Sequence, residues 1–375
     1  MRYDVTSTGI DSSPTPPALD ELEISVFGKG IGECIVGHIG GGEWIVVDSC
    51  IGEREPIALE YLQKIGAEAA KVIKLVIISH WHDDHSAGIS SVASAAETAT
   101  IAFAQALTTK EFVTVVKAYS KDPLLPGSSG VDEMERTYDV LRHRRRAGNI
   151  REISIGPRFT GADRRLFQRP VGSIPPVEVW SLSPSDAAAQ LFLHEIGEWG
   201  KPSKNAKRRL VSQDPNTLAS VIWIDFDGYR VLLGSDLETS RNPSMGWLAI
   251  INSLTRPQGR AQVFKIPHHG SITAHEDMTW TDLVQGPISL VTPYNSSQLP
   301  KPTDAARIRE LSSQSFIASK PSMRPVLPKD AAVAKTLREQ QRTIWRRSTK
   351  MGQVRLRWRQ HEDPRIELFG AASPL

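Results

Sequence analysis

The chain has 375 residues, 40% hydrophobic and 23% charged, with a formal net charge of +3. That composition suits a globular protein with a sizeable core and excludes a disordered polyelectrolyte, a collagen-like fibre and a disulfide scaffold. No stretch approaches the roughly 18 apolar residues of a membrane helix and no apolar signal core opens the chain, so the expectation is a cytoplasmic protein with no membrane partner.

Residues 1–22 contain a Ser-Ser-Pro-Thr-Pro-Pro run at 12–17 and little apolar periodicity, which predicts a flexible lead before a domain that starts at residue 23. Residues 24–27 and 34–37 read as strands joined by a Gly-rich turn. That turn lacks both a Walker pattern and a following helix, so it predicts a hairpin and not a phosphate cradle. Cys34 and Cys50 lie in β-like segments without metal-type spacing and are expected to be reduced core residues. Residues 44–48 form a further strand ending in Asp48, and 56–65 have helical spacing. The β-branched run 72–78 predicts a buried strand that stops just before His80.

The turn after that strand holds His80, His82, Asp84 and His85, four ligand-type residues within six positions. On an extended backbone His80 and His82 send their imidazoles to one side, where two nitrogens can hold an ion. Asp84 and His85 are adjacent and point apart, so they are expected to hold a second ion beside the first. The pattern His80-x-His82-x-Asp84-His85 resembles the signature of the metallo-β-lactamase superfamily. The resemblance implies an α/β fold, a four-layer αββα sandwich, with a mono- or dinuclear metal site where the two sheets meet and a metal-bound hydroxide as nucleophile. It also implies that Asp48 buttresses the metal loop by hydrogen bonds.

Further along, 87–97 predicts a helix and 98–104 a strand. Residues 108–148 read as mostly helical, ending in a helix with acids at its start and the bases of 142–146 at its end, as the helix dipole favours. Strands are expected at 177–182, 221–226 and 229–236, helices at 186–199 and 331–347, and closing strands at 352–358 and 365–369. The strand 262–271 ends in His268 and His269. The elements Gly234-Ser235-Asp236-Leu237 and Lys265-x-Pro267-His268-His269-Gly270-Ser271 are similar to the metallo-β-lactamase domain of the competence protein ComEC and its free-standing relatives. This likeness covers residues 23–320, with an enlarged helical and basic insertion at about 105–215 and an extension at 321–375 that closes the sandwich.

The resemblance implies that Asp236 bridges two divalent metal ions, that His268 or His269 is the last ligand, and that Asp84 orients the attacking hydroxide or takes its proton while ligating the second ion. Asp84 and Asp236 are thus the expected catalytic residues. Lys265 and Ser271 are candidate substrate contacts. The superfamily's additional histidine has no clear counterpart; His143 and His194 are the candidates. Either both His268 and His269 face the ions, or one ion is held by fewer ligands, in which case Mn²⁺ suits the site as well as Zn²⁺.

The expected activity is metal-assisted hydrolysis, with a phosphodiesterase or nuclease first because basic clusters at 142–146, 164–169 and 201–209 could follow a nucleic acid backbone. A hydrolase of a lactone, amide, peptide or cyclic nucleotide on the same scaffold is the alternative. A metal-stabilised effector subunit that needs a partner protein is a third reading.

Overall fold

Strands that bury alternate side chains on opposite faces build two sheets in this chain. The computed structural model describes residues 5–7, 15–109, 112–113, 129–147, 157–172, 174–199, 215–321, 323–326, 344–347 and 350–375. The first sheet draws on β1 (Val5–Ser7), β2 (Leu22–Gly28), β3 (Glu33–Ile39), β4 (Trp44–Val47), β5 (Ile73–Ile77), β6 (Thr100–Ala104) and β7 (Arg158–Thr160). The second draws on β8 (Arg164–Arg169), β9 (Val177–Ser181), β10 (Ile222–Phe226), β11 (Tyr229–Leu233), β12 (Ala261–Lys265), β13 (Val284–Val291) and β14 (Gln314–Ile317). After a two-stranded ribbon of β15 (Met323–Val326) and β16 (Ile344–Arg347) come β17 (Gly352–Trp358), β18 (Arg365–Gly370) and β19 (Ser373–Pro374).

The strand orders are β1-β18-β17-β2-β3-β4-β5-β6-β7 and β19-β14-β13-β12-β11-β10-β9-β8. Within them β4 to β7 and β11 to β14 run parallel. Parallel strands deliver their carboxyl ends to one edge, and the connecting loops there carry Asp48, the histidine turn, Asp236 and His269.

Alternation also fixes the layers. Leu22, Ile24 and Val26 of β2 meet Ile222, Ile224 and Phe226 of β10 in the core between the sheets. Phe27, Cys34, Val36 and Val76 turn the other way, onto Ala58, Tyr61 and Leu62 of α1 (Ile57–Lys64). Trp223, Leu232 and Phe264 cover the far face of the second sheet together with Trp247 and Ile308 from its helices. The result is a mixed α/β sandwich of helices, sheet, sheet and helices. Burying one such side chain contributes about 2 kcal/mol, so three apolar layers can carry a few strained turns at about 1–3 kcal/mol each. Four of the eight non-glycine residues with positive φ among the described residues sit at the edge just described: Asp48, Ser235, His268 and His269 have φ of 59°, 47°, 44° and 53°.

Several expectations change. The lead is not wholly outside the fold, because Val5–Ser7 pairs in parallel with β18 through its backbone, which needs no apolar periodicity. Residues 344–347, expected at the end of a helix, form β16, paired antiparallel with β15, and the rest of that expected helix, 331–343, lies outside the described residues. The basic stretch 164–169 is β8, an edge strand. The cysteines are as expected, buried and unbridged. Among the described residues no helix is long and apolar enough to cross a membrane.

Candidate metal centre

Asp48 follows β4, and because β5 lies beside it, its carboxylate reaches the start of the histidine turn. Asp48 Oδ1 accepts from Ser79 N at 2.8 Å, and Oδ2 accepts from Ser79 Oγ at 2.6 Å and from His85 Nδ1 at 2.7 Å. These bonds settle how two histidines carry their protons. The Ser79 hydroxyl gives its single proton to Asp48, so toward His80 Nδ1, 2.9 Å away, it accepts. His80 and His85 are therefore both protonated on Nδ1 and both present Nε2 inward.

His80 Nε2 lies 3.3 Å from His82 Nδ1, as the shared side of the extended turn requires. Asp84 and His85 do not diverge. The backbone curls into the single turn α2 (Asp83–Ser86), and Asp84 Oδ2 comes to 3.8 Å from His85 Nε2. Asp236, past the end of β11, brings Oδ1 to 3.3 Å from His85 Nε2, and its Oδ2 lies 3.6 Å from His269 Nε2. His269 Nε2 is also 3.2 Å from Asp84 Oδ2.

Three overlapping sets of donor atoms result, each within 4.8 Å: Asp84, His85, Asp236 and His269; His80, His82 and Asp236; and Asp48, His80 and His85. Asp236 belongs to two of them. Its Oδ1 and the Nε2 of His85 are buried without a hydrogen-bond partner. Nitrogen and oxygen donors that converge in a buried site, two of them without a hydrogen-bond partner, fit a divalent cation.

The electrostatics mark the acidic half of the site as one that stabilises positive charge. Burial, helped by His85 and His82, pushes His80 well below the usual histidine range and keeps it neutral. Burial also opposes a charge on His85, but Asp236 and Asp84 outweigh it and hold this group well above the ordinary value. Burial likewise opposes the Asp236 carboxylate, and His85 and His269 overcome it, so its pKa lies well below the normal range. Asp84 is lowered for the same reasons.

Other expected site residues lie elsewhere. His268 turns away, its Nδ1 at 2.6 Å from a Glu238 carboxylate oxygen, because the two left-handed residues in succession send the paired side chains in different directions. Lys265 is fully buried, with its Nζ 2.5 Å from Glu33 Oε2. Ser271 accepts from Thr273 N and caps the turn Ile272–Ala274. His143 and His194 are exposed on helices Ser129–Ala147 and Asp186–Trp199, outside all three donor sets.

Of the basic clusters, residues 201–209 lie outside the described ones. Arg165 pairs with Glu178 at 3.0 Å and Arg169 with Glu43 at 2.6 Å. Arg144 donates to the carbonyls of Ala93, Ala96 and Ala99, closing the end of α3 (Ile89–Ala95). Sequence reasoning missed Ser79, Glu33 and Thr292. Only Ser79 had a local signal, its place between a buried strand and the first histidine.

Residues 33–166 match the family model of the metallo-beta-lactamase superfamily. That stretch, which holds Asp48 and the histidine turn, is similar in sequence to the superfamily. Among solved structures it is similar to the metallo-beta-lactamase fold protein YhfI from Bacillus subtilis, at 14% identity over 81% of this chain and 98% of that one, with a TM-score of 0.37. It is also similar to Zn²⁺-bound PqqB from Methylobacterium extorquens, at 11% identity over 77% and 85% of the two chains, with a TM-score of 0.37. No curated protein matches the chain.

Proposed function

We propose that this protein is a metal-dependent phosphodiesterase, with a nucleic acid as substrate and Zn²⁺ or Mn²⁺ as the pair of ions. The observation that carries the reading is the sharing of Asp236 between the donor set of His80 and His82 and that of Asp84, His85 and His269. Two adjacent cation sites that share a carboxylate suit an in-line displacement, and bound ions there supply an acidified water and neutralise charge on attacking and leaving oxygens.

The chain's own residues do the rest. His80 and His85 stay oriented through Ser79 and Asp48, so neither ring has to reorganise during turnover. Asp84 is the more accessible carboxylate, its side chain 15% exposed against 3% for Asp236. It is the group placed to take a proton from the attacking water.

The internal pairing of Arg165 and Arg169 favours a second reading, hydrolysis of a small molecule or peptide, because those guanidinium groups are already engaged within the protein. Cleavage of labelled single-stranded DNA, double-stranded DNA and RNA with Mn²⁺, Mg²⁺ or Zn²⁺ separates the two. Cutting that is lost in an Asp84→Ala/His85→Ala variant and weakens steeply with salt supports the nuclease. Metal-loaded protein that leaves all three polymers intact supports the second reading.

A further inference from the structure

We infer that Glu33 is a positioning residue for the metal centre, acting through the Thr292 hydroxyl on the imidazole of His269. The inference rests on His269 being a metal ligand, as proposed above.

Glu33 opens β3, and Lys265 closes β12 in the opposite sheet; both side chains are fully buried and pair at 2.5 Å. A buried ion pair of this kind generally stabilises a fold no better than apolar residues of the same volume. Here one further carboxylate oxygen, Glu33 Oε1, is left without a hydrogen bond. Packing alone therefore gives little reason for the pair, and its third member does. The Thr292 hydroxyl donates to Glu33 Oε2, the oxygen that faces Lys265.

A hydroxyl has one proton, so once it is given to Glu33 the Thr292 oxygen can only accept on its other side. His269 Nδ1 lies there, 3.2 Å from Thr292 Oγ1 and 3.2 Å from the Thr292 carbonyl. The carbonyl by itself requires a proton on Nδ1. What Glu33 adds is the direction of the hydroxyl, which makes a second acceptor and centres the N–H between two oxygens. The Tyr294 ring, stacked on His269 at 5.1 Å and 15°, limits motion out of that plane. His269 is then left with Nε2 toward Asp84 and Asp236.

Replacing the ion pair with apolar residues frees the hydroxyl and leaves no buried charge behind. In Glu33→Leu/Lys265→Met no carboxylate accepts from Thr292 Oγ1, and the hydroxyl proton is free to swing toward a histidine N–H that it cannot bond. The imidazole must shift, and the cost falls on metal affinity.

The test is competition titration of Zn²⁺ against a chelator on the full chain, with thermal unfolding of the metal-free protein alongside. The set is wild type, Glu33→Leu/Lys265→Met, Thr292→Val, Thr292→Ser and His269→Ala. Glu33→Leu/Lys265→Met and Thr292→Val are expected to bind Zn²⁺ about tenfold more weakly, Thr292→Ser to match the wild type, and His269→Ala to be weaker still. Wild-type affinity in folded Glu33→Leu/Lys265→Met and Thr292→Val, with His269→Ala impaired, overturns the inference and spares the metal-centre reading. A wild type that binds no Zn²⁺ overturns both. If Glu33→Leu/Lys265→Met does not fold, the Thr292 pair decides: weak valine and normal serine support the inference, and equal affinities refute it.

Discussion

Asp48 and His85 stand 37 residues apart in the chain and 2.7 Å apart in the fold. The pairing of β4 with β5 brings them together, and through it the buried carboxylate holds His85, and by way of Ser79 also His80, in one orientation. Asp48→Ala leaves three buried donors without an acceptor, those of Ser79 N, Ser79 Oγ and His85 Nδ1. Metal affinity should fall about 10- to 100-fold, as read by chelator competition. Unchanged affinity would mean that the histidines hold their positions without Asp48.

The two neighbouring histidines should separate cleanly on substitution. His269→Ala is expected to lower the number or affinity of bound ions, while His268→Ala keeps the wild-type metal content because His268 is directed to Glu238. Elemental analysis of the two purified variants checks this, and equal loss in both contradicts it.

Gly130, in the first turn of the helix Ser129–Ala147, donates its N–H to Asp83 Oδ1 at 2.7 Å and presses on the metal loop. A Cβ built there would lie 1.9 Å from the Trp81 carbonyl oxygen. Gly130→Ala should therefore destabilise the protein by about 1–3 kcal/mol, seen as a lower midpoint in thermal unfolding. An unchanged midpoint would show that the helix does not bear on the loop in solution.

His38 is buried with its Nδ1–H donated to the Glu21 carbonyl at 2.7 Å and its Nε2 accepting from Gly42 N at 3.1 Å. Burial lowers its pKa from 6.5 to about 4. The unfolded chain takes up a proton at His38 near pH 6.5 and the folded chain only near pH 4. Its contribution to stability is thus complete above 6.5, declines as pH falls from 6.5 to 4, and changes no further below. The loss over that window is about 3 kcal/mol. His38→Gln, which keeps a donor and an acceptor but does not titrate, should lose that slope in denaturant melts taken across the window. An identical slope in the variant would assign it to other groups.

Local pattern made many of the strands legible, since β-branched runs are short-range signals, and the resemblance carried by the spacing of His80, His82, Asp84 and His85 implied the sandwich and pointed to Asp48 and Asp236. The convergence of Asp84 with His85 was not legible, because whether a four-residue segment curls or extends depends on what it packs against. The choice between His268 and His269 turned on two successive left-handed residues, a backbone state that two histidines in sequence do not announce. Glu33 and Thr292 stand 259 residues apart in the chain, and only the packing of the two sheets makes them neighbours. The partners of the basic residues were not legible either: Arg144 bonds to helix-end carbonyls, Arg169 pairs with Glu43, and Arg165 makes a surface pair with Glu178.

The central claim is that Asp236 joins two cation sites. Zn²⁺ titration of the metal-free chain by calorimetry, with elemental analysis of the product, tests it most directly. Two ions per chain in the wild type, with loss of affinity at both in Asp236→Ala, is the predicted result. A single ion in the wild type, or two ions still held in Asp236→Ala, would contradict it.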